Sequence, residues 1–244
     1  MKLGLFSDSH YSSTERSCGC RYNSKSLQKL REAYRIFEDA GCDLVLCLGD
    51  LTDTEATYEK ECENLRACAA VMDASSVPTI CVMGNHDAFA FTEAAFYELL
   101  GQTRRPRTLA LDGVTLLFVD ACHYANGKHY QPGDSDWTDT FFPYTGALEQ
   151  ELSEIAGPVC VCMHQNLDPA IPQNHRLAND AALRALFASC GSVTHVISGH
   201  YHPGADHTVD HIRYLTLPAL CERKTADAVQ ILALSSGAEY GVFR

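Results

Sequence analysis

Short apolar runs alternate along this chain with stretches in which apolar residues recur every three or four positions. Six runs have the length and β-branched content of buried strands, at residues 2–7, 43–48, 79–83, 114–119, 159–163 and 194–198. Helical patterns lie between them. The first begins near Ser24, sets Leu27, Leu30, Tyr34 and Phe37 on one stripe, and meets Gly41 where a C-terminal cap belongs. Others begin near Thr54 and Thr92, at Thr145 (Leu148, Leu152 and Ile155 on one face, Gly157-Pro158 as the stop), and near Asn179, ending at Gly191. Strand and helix in alternation is the signature of α/β layering. From His207 onward, HTVDHIRYLTLPAL and then AVQILAL have strand character with no helix between, which predicts meander strands on a second sheet. No repeat, low-complexity segment or linker breaks the pattern.

With 244 residues, 46% of them hydrophobic and 20% charged, the chain suits a single domain over residues 1–244. Its first ten residues, MKLGLFSDSH, become polar too soon for a signal-peptide core or a membrane span. Of the twelve cysteines, most occupy apolar positions such as Cys47, Cys81, Cys160 and Cys162, where a thiol behaves as a small hydrophobe. Together these features predict a cytoplasmic protein in a reducing compartment. Cys18 and Cys20 differ, lying in a polar loop where they could react or bind metal, although exposed thiols without a role are the commoner outcome. A formal net charge of -12 argues against nucleic acid or an anionic membrane as partner. It leaves room for a small phosphorylated substrate, because divalent cations can reverse the local field.

The strand ends carry the chemistry. LGLFS runs into Asp8-Ser-His10, LVLCL into Gly49-Asp50, ICVM into Gly84-Asn85-His86-Asp87, VCVCM into His164, and HVIS into Gly199-His200-Tyr-His202. Ligands of open α/β sheets gather beyond the carboxyl ends of the strands, so five strands are expected to deliver these side chains to one edge. Asp50 or Asn85 alone would be an ordinary turn former, and His164 alone a satisfied core histidine. Five coincident ends supplying only metal-ligating residue types make that reading improbable. Carboxylate, imidazole and amide without thiolate suit manganese, iron or zinc in a working site better than a structural zinc. Seven candidates are too many for one ion and divide between two divalent metal ions if a carboxylate, Asp50, is shared.

This five-block set resembles the calcineurin-like metallophosphoesterases, in order and complete. The resemblance implies a four-layer α/β/β/α sandwich, with Asp8, His10 and His202 on one metal, Asn85, His164 and His200 on the other, and Asp50 across both. It implies that His86 is the catalytic histidine on the leaving-group side, oriented by Asp87, and that a hydroxide held between the metals attacks phosphorus. GDLTD (residues 49–53) and SGHYH (residues 198–202) resemble the class III cyclic-nucleotide phosphodiesterases. Arg21-Tyr22 followed by SLQKL is similar to the manganese-dependent ADP-ribose and CDP-alcohol diphosphatases, which usually carry another residue in place of His10. The expected activity is hydrolysis of a phosphodiester or phosphomonoester of a small nucleotide-like substrate, with a nucleotide diphosphatase as alternative. A non-enzymatic scaffold and a DNA repair nuclease are alternatives of other classes; the complete ligand set counts against the first and the acidic balance against the second.

Arg21 and Tyr201 are the candidate substrate contacts. Residues 121–144 show no evident element yet hold Tyr124, Tyr130, Trp137, Phe141, Phe142 and Tyr144, which could stack on a flat group or form a satellite core under a long loop. Arg104, Arg105 and Arg107 could meet a distal phosphate, though a solvated loop is the simpler reading. His123, His129, His175, His195, His207 and His211 match no motif block.

Overall fold

The computed structural model describes residues 1–102 and 106–235 in full and the backbone of residues 241–243. Two sheets carry the described strands. The first orders β11 (Gly241–Phe243), β10 (Gln230–Ala233), β1 (Lys2–Phe6), β2 (Leu44–Cys47) and β3 (Thr79–Cys81). The second orders β4 (Thr108–Leu111), β5 (Val114–Phe118), β6 (Val159–Cys162), β7 (Val193–Ser198), β9 (Ile212–Thr216) and β8 (Ala205–Val209). β1, β2 and β3 run parallel in one sheet, and β5, β6 and β7 in the other, so each set presents its carboxyl ends on one side.

Strand periodicity accounts for the layers. Leu3 and Leu5 of β1 and Leu44 and Leu46 of β2 meet Leu116, Phe118, Cys160, Cys162 and Ile197 of the other sheet in an apolar slab between the sheets. The alternate residues Phe6, Val45 and Cys47 face α1 (Ser26–Asp39), α2 (Tyr58–Asp73) and α4 (Glu93–Leu99). On the far side, Leu117, Val159 and Val161 face α5 (Thr145–Glu154) and α6 (Asp180–Cys190) through Leu148, Leu152, Leu183 and Phe187. The result is the expected α/β/β/α sandwich. Leu30, Tyr34 and Phe37 are buried as the stripe requires, and the chain turns left-handed at Gly41 and Gly191 (φ +64° and +68°), the two positions expected to cap helices. The ten buried or part-buried cysteines are reduced and pack as hydrophobes, while Cys18 and Cys20 are exposed.

Three expectations are corrected. The strand ends that converge belong to two facing sheets, not to one edge. The tail divides: β8 and β9 extend the second sheet, but β10 crosses back and pairs antiparallel with β1, Leu3 opposite Leu232. The helix expected from Thr54 starts at Tyr58, because the Thr57 hydroxyl caps it by accepting from Lys60 N (3.3 Å). A short helix unforeseen in the sequence, α3 (Asn85–Ala90), follows β3 and carries the Asn-His-Asp block.

Candidate metal centre

The chain turns sharply where each strand meets the site. Asp8, His10, Asp50 and His200 have left-handed backbone (φ +54°, +42°, +53° and +65°), which costs a non-glycine residue roughly 1–2 kcal/mol. Such strain persists where the surroundings impose it, and here it turns each side chain inward from its strand end. Asp8 N donates to Gly49 O and His10 N to Asp50 O (both 3.0 Å), locking the β1 and β2 ends together. Gly199 N donates to His164 O (3.0 Å) and does the same for β6 and β7. A Cβ at Gly199 would collide with Ser7 Oγ and come within 2.7 Å of Asp8 Oδ2, so the two sheets can close on each other here only through glycine.

Two donor sets result. In the first, His10 Nε2 lies 3.7 Å from Asp8 Oδ1, 3.3 Å from His202 Nε2 and 3.5 Å from Asp50 Oδ2. In the second, His164 Nε2 lies 3.3 Å from Asp50 Oδ2 and 3.1 Å from Asn85 Oδ1, and His200 stands close enough to Asp50 and His164 to complete a cation cage. Ligands at roughly 2.1 Å from an ion are spaced about 3.0–3.4 Å from each other, so these separations fit two ligand polyhedra sharing Asp50 Oδ2. The donor set fits divalent cations on a further count. Asp8 Oδ1 is fully buried yet has no hydrogen-bond partner among the described residues, an arrangement that is costly unless a cation meets it.

Neighbours fix the direction of each donor. Asp8 Oδ2 accepts from His200 N (3.0 Å), leaving Oδ1 for the site. Asp50 Oδ1 accepts from His86 N (2.9 Å), leaving Oδ2 to be shared. His164 Nδ1 donates to Leu48 O (2.6 Å) and His202 Nδ1 to Glu222 Oε1 (2.6 Å), which presents both Nε2 lone pairs inward. Beneath Gly199, Asn166 Nδ2 donates to its carbonyl (2.8 Å), while Asn166 Oδ1 accepts from Ser198 Oγ (2.7 Å) and Thr216 Oγ1 (2.6 Å).

The charges follow from burial and proximity. Burial opposes ionisation of Asp8, but His10, His202 and His164 hold it well below the usual carboxylate range. Asp50 is likewise held low against its burial, mainly by His164 and His86. Burial would lower His164 and His202, yet Asp50 beside the first, and Asp8 and Glu222 beside the second, push both up to about 9. Burial dominates at His10 and His200, which drop to about 4 and about 3.

His86 lies at the first set, its ring edge-on to His10 at 4.5 Å. The resemblance implies Asp87 as its orienting residue, and the contacts differ. Asp87 is buried and accepts from Asp50 N (2.8 Å), Gly84 N (3.0 Å) and Leu51 N (3.0 Å), so it ties α3 to the β2 loop. The carboxylate against His86 is Asp53, Oδ1 to Nδ1 at 3.1 Å. Asp53 Oδ2 accepts from Asn23 Nδ2 (2.9 Å), Arg21 Nη1 (3.2 Å) and Ser17 Oγ (3.2 Å).

A cavity of about 280 Å³ opens over the donors and is lined by Arg21 and His86 at one end and by Trp137, His175 and Tyr201 at the other. Both candidate substrate contacts, Arg21 and Tyr201, therefore reach it. Of the aromatic segment, Tyr130 and Phe142 are core residues, while Trp137 enters the site. Arg107 pairs with Glu151 (2.7 Å), and Arg104 and Arg105 lie outside the described residues. Sequence reasoning missed Asp53, Glu222 and His175. Asp53 alone had a signal, as the last residue of GDLTD.

The layering and the strand-end donors together mark a metal-dependent phosphoester hydrolase. Sequence comparison agrees: residues 1–204 match the calcineurin-like phosphoesterase family, to which the chain belongs. No curated protein matches its sequence. Among solved structures, a dimetal phosphatase from Danio rerio superposes with a TM-score of 0.82 at 19% identity, over 96% of this chain and 92% of its own. TT1561 of Thermus thermophilus gives 0.59 at 15% identity over 98% and 97% of the two chains. GAP50, the anchor in the inner membrane complex of Plasmodium, gives 0.61 at 14% over 96% and 81%. At these identities the likeness is one of fold. Among the described residues, no helix is long and apolar enough to cross a membrane.

Proposed function

We propose that the protein holds two divalent cations, manganese, iron or zinc, and hydrolyses a phosphodiester or phosphomonoester of a small nucleotide-like substrate. The observation that carries this reading is the position of Asp50 Oδ2, 3.5 Å from His10 Nε2 and 3.3 Å from His164 Nε2. Asp8, His10 and His202 would hold one ion and Asn85, His164 and His200 the other, with Asp50 serving both. When bound, the ions polarise the phosphoryl oxygens and lower the pKa of an attacking water.

The chain's own groups do the rest. Burial would strip His86 of its proton, but Asp50 and Asp53 raise its pKa, so it stands as a proton donor for the departing oxygen. Asp53 fixes the ring through Nδ1, which leaves Nε2 as the nitrogen to deliver the proton. Arg21, charged and tied to Asp53, offers its remaining N–H groups to a phosphate oxygen. A cavity of this size suits a small ester. The scaffold alternative is disfavoured by the retained donor set together with the His86–Asp53 pair, neither of which an anchor needs.

The test is metal analysis of the purified protein coupled to turnover of phosphomonoesters, phosphodiesters, cyclic nucleotides and nucleotide-diphosphate conjugates. Two equivalents of metal with metal-dependent hydrolysis supports the reading. Two equivalents with no turnover on any class sinks it in favour of a binding protein.

A further inference from the structure

The two ends of the cavity differ in chemistry. Beside His10 lie Arg21, His86 and Asp53, charged and proton-donating. Beside His200 the wall is made of rings. Trp137 stands 5.3 Å from the His200 ring, at 73°, and 5.1 Å from the His175 ring, at 32°, while Tyr201 packs against His175 at 5.2 Å and 65°.

This aromatic end is built and held. The loop bearing Trp137 is pinned from the core: buried Tyr130 shares a hydrogen bond of 2.6 Å with Thr140 Oγ1, which donates to the Trp137 carbonyl at 2.6 Å. Ala178 N donates to Thr140 O (2.8 Å), joining that loop to the one bearing His175. His175 Nδ1 is buried without a hydrogen-bond partner among the described residues, an unmet polar atom at a cavity wall. Trp137 remains half-buried, with its ring on the cavity.

A phosphodiester presents two arms at phosphorus, a departing one and a retained one, whereas a monoester has no retained arm. With the departing oxygen at His86, the cavity wall left for a retained arm is the one formed by His200 and the rings. We infer that Trp137 and His175 form a subsite for a planar group, an aryl or nucleobase, on the retained arm of the substrate, so that the site selects diesters of that kind over alkyl diesters and monoesters. This rests on the proposed hydrolase reading. Trp137 and His175 are specificity residues under it, touching the substrate rather than the metals.

Trp137 is the only tryptophan of the chain, so its fluorescence reports on the subsite directly. Phenylphosphonate and methylphosphonate share a charged head and differ in the planar group. Titrated into the zinc-loaded protein, phenylphosphonate is expected to perturb Trp137 emission and to bind about tenfold more tightly, within the range that stacking on an aromatic side chain supplies. In His175→Ala that advantage shrinks. Kinetics use two diesters with one leaving group, phenyl and ethyl 4-nitrophenyl phosphate. Their ratio of kcat/KM is expected to fall about tenfold in Trp137→Ala, through KM, and to be largely kept in Trp137→Phe. Equal phosphonate affinities, or a ratio unchanged in Trp137→Ala while zinc affinity drops, would show that Trp137 only shields His200 and would overturn the subsite. Should Trp137→Ala fail to fold, Trp137→Phe and His175→Ala carry the comparison. Zinc binding without hydrolysis of either diester counts against the hydrolase reading, and the phosphonate titration still decides the subsite.

Discussion

His86 Nδ1 and Asp53 Oδ1 lie 3.1 Å apart, while the other oxygen of Asp53 is held by Asn23, Arg21 and Ser17. The pair joins a histidine on α3 to a carboxylate on the loop after β2, so the proton donor is oriented by a group that is itself immobilised. Replacing Asp53 by Asn keeps the size and removes the charge that sustains the imidazolium. Esters with an alkoxide leaving group need the proton, whereas 4-nitrophenolate leaves without it. Asp53→Asn is therefore expected to lower kcat on alkyl leaving groups about 100-fold and on 4-nitrophenyl esters only several-fold, with metal content unchanged. Equal losses on both substrates, measured by steady-state kinetics, would remove His86 from acid catalysis. His86→Ala is expected to show the same leaving-group dependence.

Asp50 and Glu222 should separate the two metal sites. Asp50→Asn takes the shared carboxylate from both donor sets, so metal content after dialysis should fall from two equivalents to below one. Glu222 touches His202 through Nδ1 at 2.6 Å and no other donor of the site. Glu222→Gln is expected to weaken the first site alone, by about 10- to 100-fold, leaving one tightly held ion. Plasma mass spectrometry on the two variants decides it: equal loss of both ions in Glu222→Gln would contradict the assignment of His202 to one site.

Gly199→Ala forces a methyl group against Ser7 and Asp8 at the seam of the two sheets. Overpacking of this kind costs about 1–3 kcal/mol, and the displaced Asp8 is a candidate ligand, so both melting temperature and metal affinity should drop. Ser7 Oγ has no hydrogen-bond partner among the described residues, so Ser7→Ala removes the worst clash at little cost. The double variant Ser7→Ala/Gly199→Ala should recover part of the lost stability in thermal denaturation. A double variant no better than Gly199→Ala would place the strain elsewhere.

The donors are legible in the sequence because a strand is a regular object: a period of two, a buried run, and an abrupt polar residue where the run stops. Asp8, Asp50, Asn85, His164 and His200 all sit at such stops. Contacts made across the seam leave no period to read. Glu222 reaches His202 only after the β8–β9 hairpin, and Trp137 reaches His200 from a loop with no repeat of its own. Asp87 misleads because it follows His86 directly, yet neighbours on a helix point about 100° apart and do not face each other. AVQILAL reads as a strand whichever sheet it joins, and the partner, β1, is chosen by pairing more than 200 residues away.

His195 supplies a pH prediction remote from the metals. It is buried on β7, and desolvation, aided by the charge of Arg213 and opposed by Asp206, lowers its pKa to about 4. A base whose pKa falls on folding binds fewer protons in the native than in the unfolded state between the two values. Stability is therefore complete above about pH 6.5 and is lost as pH falls toward 4. By pH 5 the loss from this one group should approach 2 kcal/mol, at about 1.4 kcal/mol for each unit of the window crossed. Glutamine at this position cannot take up the proton. Urea unfolding at pH 7 and pH 5 should show a smaller drop in His195→Gln than in the parent, with any acid loss from the metal ligands common to both. Equal drops would mean that His195 is already charged in the native protein, and that Asp206 outweighs its burial.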